Sequence, residues 1–100
     1  MAKKNLIERD KKREYLTQKH LERRKKLKKA IKQAESFNEQ LQVQNALQKL
    51  PRNSLSIRQR KRCIVTGRSR GYFRYFGISR HVLREMGHNG LIPGLIKSSW

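Results

Sequence analysis

Apolar residues in the first half of the chain recur at the spacing of an α-helix. Two sets follow the i, i+3, i+4, i+7 pattern: Leu27, Ala30, Ile31 and Ala34, and then Val43, Ala46, Leu47 and Leu50. Residues 3–20 are compatible with a helix but contain few apolar side chains. No heptad repeat persists, so a coiled coil is not predicted. We predict two or three thin amphipathic helices, with apolar stripes too narrow to form a stable bundle alone.

A helix boundary is predicted near Ser36. Ser36 and Glu39 have the Ser-x-x-Glu spacing of a capping box, in which the serine accepts from the third amide and the glutamate reaches back. The helix that follows is expected to end at Leu50, because Pro51 disfavours helical geometry in the residue before it.

The second half contains all six glycines and both prolines, and it is predicted to fold differently. Residues 51–61 combine turn formers with cations and are predicted to be an extended arm. Residues 63–65 and 72–76 are short strand candidates, joined through residues 66–71 in a hairpin-like connection. In a regular second strand, Arg70, Tyr72 and Arg74 would share one face. Phe73 and Tyr75 would lie on the opposite face.

A short helix is predicted over residues 80–86, with Ser79 as its N-cap and Gly90 as its C-terminal stop. Its apolar side is expected to cover the aromatic side of the hairpin. The core candidates are Cys63, Phe73, Phe76, Val82, Leu83 and Met86.

The predicted fold class is mostly α with a small β-hairpin. Residues 1–50 form a basic, extended helical region, residues 51–61 an extended basic arm, and residues 62–100 a compact ββα-like knob with a tail. A unit as small as the knob usually needs a metal, a disulfide or a partner for stability.

The charge of the chain limits the classes of protein to which it could belong. The chain has 26 Lys and Arg against 7 Asp and Glu, a formal net charge of +19. Residues 51–100 contain mostly arginine as their basic residue and one acid, Glu85, so internal ion pairs cannot neutralise them. This balance is typical of a polyanion binder and unlike an enzyme for small molecules.

Arginine favours phosphate specifically, because its planar fork binds phosphate in a bidentate manner and also stacks on bases. Lysines attract a phosphate backbone without direction. The candidate binding residues are Lys25, Lys28, Arg58, Arg60, Lys61, Arg62, Arg68, Arg70, Tyr72, Arg74, Arg80 and Arg84, with Tyr72 as a candidate for stacking.

Other classes of protein are not supported. No apolar run approaches the length of a membrane span. The N-terminus leads into no apolar signal region, so the chain is expected to be made in the compartment where it works. The single cysteine, Cys63, suits a reducing compartment. No nucleophile has an adjacent base and orienting group, so neither catalysis nor a small-molecule substrate is predicted.

A zinc site is not predicted either. A zinc ribbon needs four ligands in two Cys-x-x-Cys pairs. Counted from Cys63, the four positions are Cys63, Thr66, Ser79 and Val82, and only the first is a ligand. His81 and His88 add no recognised spacing. No cofactor is expected.

Several segments together resemble a known family. They are RCIVTGRSRGY at 62–72, RYFGISRHVLREM at 74–86, IPG at 92–94 and SW at 99–100, with the LPRNS junction at 50–54 and the MAKK start. The chain resembles, over essentially its whole length, the fourteenth protein of the small ribosomal subunit.

The resemblance implies binding to small-subunit ribosomal RNA (rRNA) in the head of the particle, beside the third and tenth small-subunit proteins. It also implies a part in assembly and in shaping the decoding (A-site) region. Some family members carry a zinc ribbon at the four positions named above. This chain resembles the longer, zinc-free branch, so its knob is expected to be a metal-less zinc ribbon. The KSSW ending and the SRHV segment resemble plastid members, which implies the plastid stroma, with the bacterial cytoplasm as the alternative.

Two other functions remain open. The Val43 to Leu50 stripe could serve a protein-interaction adaptor whose charge is incidental. A DNA-binding module has the same composition, although no recognition-helix pattern is evident.

Overall fold

The computed structural model describes residues 2–98. It contains helices α1 (Lys4–Gln33) and α2 (Phe37–Gln48), two single 3-10 turns (Arg52–Ser54 and Ser56–Arg58), strands β1 (Tyr72–Phe73) and β2 (Ile78–Ser79), and helix α3 (Arg80–His88). The prediction of a mostly α fold with one small hairpin is confirmed for this part of the chain. Met1, Ser99 and Trp100, which contributed to the resemblance, lie outside the described residues.

The chain divides into two compact units. The knob unit comprises the described residues up to Ile7 together with those from Arg60 onward, and the helical unit comprises residues 8–59. The three-part division at residues 50 and 61 stays a prediction.

In the helical unit, α1 continues without interruption to Gln33, and of its residues only Thr17 is buried. The Ser36 cap is confirmed, because its Oγ accepts a hydrogen bond from the Glu39 amide at 3.3 Å. The second helix ends at Gln48, two residues before the predicted end. Leu50 lies beyond the helix and is buried.

Residues 52–58 are not extended, and the prediction of an extended arm is wrong there. Ser54 is fully buried, and its amide donates to the Pro51 carbonyl at 3.0 Å, which closes the first 3-10 turn. The Arg24 guanidinium donates to Ser54 Oγ at 2.7 Å and to the Pro51 carbonyl at 3.3 Å. A side chain from α1 therefore stabilises the turn, which local composition could not indicate.

The hairpin in the knob unit forms later in the chain than predicted. β1 and β2 are antiparallel, with Tyr72 opposite Ser79 and Phe73 opposite Ile78. The strand predicted over 63–65 and its connection over 66–71 are wrong. Residues 63–67 form a tight turn instead, in which the Gly67 amide donates to the Cys63 carbonyl at 2.8 Å.

The reversal between the strands ends at Gly77, whose φ of +71° is accessible mainly to glycine. Its amide donates to the Phe73 carbonyl at 2.9 Å. Because Arg74 and Tyr75 lie in this turn, the strand alternation predicted for residues 70–76 does not extend to them.

The core of the knob unit consists of Cys63, Ile78 and Val82, with Leu83, Met86 and Ile92 packed around it. Four of the predicted core residues are therefore confirmed as buried or packed against the core. Phe73 and Phe76 are not part of it, because their side chains remain 45% and 37% exposed. Since α3 begins directly after β2, it places Val82 over Cys63 and Ile78 rather than over the aromatic rings.

Both predicted ends of α3 are confirmed in kind. Ser79 Oγ accepts from the Val82 amide at 3.4 Å, as an N-cap should. At the other end the Leu91 amide donates to the Met86 carbonyl at 3.0 Å, and Gly90 has a φ of +68°. These are the features of a Schellman C-cap.

Candidate nucleic-acid interface

The structure places most of the predicted binding residues in one unit. Nine lie in the knob unit: Arg60, Lys61, Arg62, Arg68, Arg70, Tyr72, Arg74, Arg80 and Arg84. Lys25, Lys28 and Arg58 lie in the helical unit. All are exposed except Arg62, Arg68 and Tyr72, which are half-buried.

The arginines on either side of the turn over residues 63–67 donate to backbone carbonyls. Arg62 Nη1 donates to the Gly67 carbonyl at 3.0 Å, and Arg68 Nε donates to the Arg70 carbonyl at 3.2 Å. A Cβ at Gly67 would lie 2.6 Å from Ile7 Cδ1 and would displace that side chain, and the φ of +72° at this position favours glycine. The turn therefore fixes the backbone positions from which these cationic side chains extend.

Arg80 is positioned by the backbone before β1. Its amide donates to the Gly71 carbonyl at 2.7 Å. Its side chain crosses Gly71, where an added Cβ would lie 3.3 Å from Arg80 Cγ and Cδ. Gly71 thus leaves room for the aliphatic part of the Arg80 side chain. Arg80 as a whole is exposed.

The hairpin turn exposes an aromatic group that the sequence placed on the packing face. The Tyr75 side chain is 92% exposed, and its ring meets that of Phe76 edge-on at 5.0 Å between centroids. Tyr72, the predicted stacking residue, is half-buried. Its hydroxyl lies near Gly77, 3.7 Å from where a Cβ would be. The exposure of Tyr75 and the partial burial of Tyr72 follow from β1 being only two residues long and ending in a turn, which the sequence pattern did not indicate.

The four positions compared above with a zinc ribbon include a cluster around Cys63. Cys63, Ser79 and Val82 are buried, with Cys63 only 2% exposed. Burial raises the pKa of the Cys63 thiol. Hydrogen bonds from the Thr66 hydroxyl and from the backbone amides of Thr66, Ser79 and Val65 favour the thiolate and outweigh burial, so the pKa falls from 9.0 to about 6.

In the helical unit the charges are partly satisfied within the unit. Lys11 pairs with Glu8 at 3.1 Å and Arg13 with Asp10 at 3.5 Å. Arg58 Nη1 donates to Asn53 Oδ1 at 2.9 Å, which holds this predicted binding residue against its own turn. The sequence of the knob unit, by contrast, contains one acidic residue, Glu85.

Within residues 2–98, three or more His, Cys, Asp or Glu side chains do not come together as they would to hold a metal ion. No helix in the same range is both long and apolar enough to cross a membrane.

Comparison with known proteins gives a consistent family. Residues 46–99 match the family model described as ribosomal protein S14p/S29e. The chain is 55% identical to the small ribosomal subunit protein uS14 of Gloeothece citriformis and 55% identical to uS14c of Rhodomonas salina. It is 58% identical to uS14c of Mesostigma viride. Each similarity covers 100 residues, the full length of both chains.

Proposed function

The chain belongs to the ribosomal protein S14p/S29e family, and on this premise we propose that the knob unit binds small-subunit rRNA. The protein is a structural constituent of the small ribosomal subunit and not an enzyme. Its partners are accordingly rRNA and other ribosomal proteins. The resemblance supports a position in the head of the particle, beside the third and tenth proteins, where the chain aids assembly and shapes the A-site region.

One observation carries the RNA-binding proposal. Exposed arginines, Arg70, Arg74 and Arg80 among them, are mounted on a unit with a buried core and a single acidic side chain. The core fixes where the side chains begin, and a single carboxylate, that of Glu85, cannot pair with them all, which leaves guanidinium groups to bind phosphate. The helical unit adds lysines for attraction without direction.

The knob is proposed to be a zinc-free version of the zinc ribbon that some family members carry. Burial of Cys63, Ser79 and Val82 supports this, because Cys63 and Val82 share one core and the Ser79 backbone donates to the Cys63 sulfur. The Thr66 hydroxyl and backbone amides serve the Cys63 sulfur in place of a metal ion. No cofactor is required in this proposal.

The place of action is proposed from the relatives. They include cyanobacterial uS14 proteins and the uS14c proteins of Rhodomonas salina and Mesostigma viride. A ribosome of the plastid stroma fits these relatives and the sequence of the C-terminal half, and a bacterial cytoplasmic ribosome is the alternative.

Charge-matched triple variants test the RNA-binding proposal. We expect Arg68→Ala, Arg70→Ala and Arg74→Ala together to weaken binding to small-subunit rRNA by about two orders of magnitude, since three phosphate contacts are lost. The control replaces three exposed arginines of the helical unit with alanine, Arg9, Arg23 and Arg52, and changes the net charge equally. Equal losses in both variants would contradict a specific surface on the knob unit.

The same variants separate the competing functions. A protein-interaction adaptor would retain its partner after the knob substitutions. A DNA-binding module would bind a DNA duplex as tightly as rRNA at equal salt. Cosedimentation of the variants with the small subunit checks the assembled state.

A further inference from the structure

A cleft of about 630 Å³ lies within the knob unit, between α3 and the segment that follows residue 94. Its walls come from β1, from one side of α3 and from residues 95–98. The volume is within the range of sites that hold a small ligand.

Gly87 determines how closely the C-terminal segment approaches α3. A Cβ at this position would lie 2.8 Å from Leu95 Cδ2, so a larger residue would displace the end of the Leu95 side chain. Leu95 therefore packs directly on the helix, and the cleft opens beside this contact.

The lining combines an aromatic ring with cations. Phe73 is 45% exposed, and it shares the lining with Leu83. Arg80, Arg84 and Lys97 contribute three positive charges, and none of the lining residues within the described part of the chain is acidic. Lys97 Nζ lies 3.4 Å from His88 Nε2, which restricts the lysine to this end of the helix.

We propose that this cleft holds a single unstacked nucleotide of the bound RNA. The base lies against Phe73 and Leu83, and its phosphate is bound by Arg80 and Arg84, with Lys97 adding charge at the far wall. The proposal deepens the proposed function and rests on it, since it names how one nucleotide of the rRNA is held.

The chemistry favours a nucleotide over an acidic peptide. Base stacking on an aromatic side chain is a recurrent source of affinity for single-stranded RNA. An arginine fork binds a carboxylate as well as a phosphate, so the arginines alone do not decide between the two ligands. The exposed Phe73 ring does, because a glutamate peptide has no flat group to place against it. A continuous duplex keeps its bases stacked and cannot enter.

The test uses the full chain, two RNA probes, single-stranded hexaadenylate and a short blunt RNA duplex, and hexaglutamate as an acidic peptide. We expect Phe73→Leu to weaken binding of the single strand roughly tenfold while leaving duplex affinity within about twofold. Phe73→Trp, which keeps an aromatic face, should restore the single-strand affinity. Tyr15→Leu is the matched control, because Tyr15 is an exposed aromatic residue on α1 and its loss should change neither affinity.

A second variant tests the phosphate side. Arg84→Ala should weaken hexaadenylate binding and reduce its dependence on salt by about one phosphate contact. Circular dichroism of each variant shows whether α3 is intact, and comparison of Phe73→Trp with Phe73→Leu separates stacking from packing.

The outcomes distinguish this inference from the function on which it rests. Binding of both probes that is equal in Phe73→Leu and Tyr15→Leu would overturn the nucleotide cleft and leave RNA binding intact. If the unmodified chain bound neither RNA probe nor small-subunit rRNA, both the nucleotide cleft and the proposed RNA-binding function would be overturned. Tighter binding of hexaglutamate than of hexaadenylate, with loss in Arg84→Ala, would assign the cleft to an acidic peptide.

Discussion

The knob unit and the helical unit both carry a large excess of positive charge, but they maintain their structures differently. In the knob unit, Cys63, Ile78 and Val82 form a common core, and α3 is capped at both ends. Helix α1, most of which lies in the helical unit, spans 30 residues yet buries only Thr17. From this difference we expect the small core to set where the cations of the knob unit begin, and the long exposed helix to depend more on a polyanion that offsets its own repulsion.

The largest expected effect follows from this difference. In the free protein at low salt, α1 and α2 should be largely unfolded and α3 retained, because net positive charge opposes a sparsely buried helix. Adding small-subunit rRNA should raise the helical signal in far-ultraviolet circular dichroism strongly. Hydrogen exchange should show slow amides at α3 and fast ones along α1. Full helicity without RNA would remove the contrast between the units.

A pH series sharpens the comparison, because Cys63 belongs to the knob unit alone. Its pKa is about 6 in the folded protein against 9.0 when unperturbed. The resulting stabilisation is fully present above pH 9.0 and is lost as the pH falls through about 6. Urea unfolding followed through α3 measures it.

Cys63→Ala is the control for that series. The variant loses the thiolate, so the rise in knob stability between these pH values should disappear. Thiolate absorbance at neutral pH gives an independent reading of the ionised form. A free thiol that titrates near its ordinary pKa would contradict the effect of the Thr66 and backbone hydrogen bonds.

Sequence reasoning succeeded where a structure depends on neighbouring residues. Ser36 and Ser79 were predicted as caps, and Gly90 as a stop, because each acts within a few residues of itself. The strand at Ile78 was missed, since a two-residue strand is defined by its partner rather than by a pattern. The turn at Ser54 depends on Arg24, thirty residues away, and was equally inaccessible.

The candidate nucleic-acid interface was likewise predictable from the sequence only in part. The arginines were predictable from composition, because their number against a single acid requires an external anion. The aromatic groups were not: Phe73 and Tyr75 were expected to pack, and their exposure follows from where the hairpin turns. Lys97 joins Arg84 at one cleft only through the folded path of the chain.

The two serine caps provide a smaller, paired test. Ser79→Ala removes the acceptor for the Val82 amide in a buried setting and should cost the knob unit about 1 kcal/mol, seen as a lower urea midpoint. Ser36→Ala removes the matching acceptor for the Glu39 amide on an exposed helix. It should reduce RNA-bound helicity slightly and leave knob stability unchanged. A shared loss would mean that the units unfold together.

The smallest expected effect concerns the lysines of α1. Lys25 and Lys28 are exposed, and replacing both with alanine should lower rRNA affinity only a few-fold. The salt dependence of binding should fall by about two contacts, without any change in which RNA is preferred.

Lys11→Ala is the natural comparison for those lysines, because Lys11 Nζ already pairs with Glu8 at 3.1 Å. Its removal frees a carboxylate as it removes a cation, so the salt slope should stay the same while affinity decreases slightly. If Lys25 and Lys28 behave as Lys11 does, α1 contributes bulk charge rather than phosphate contacts. Specific phosphate contacts would then be made by the knob unit alone, where the arginines are attached to a unit with a buried core.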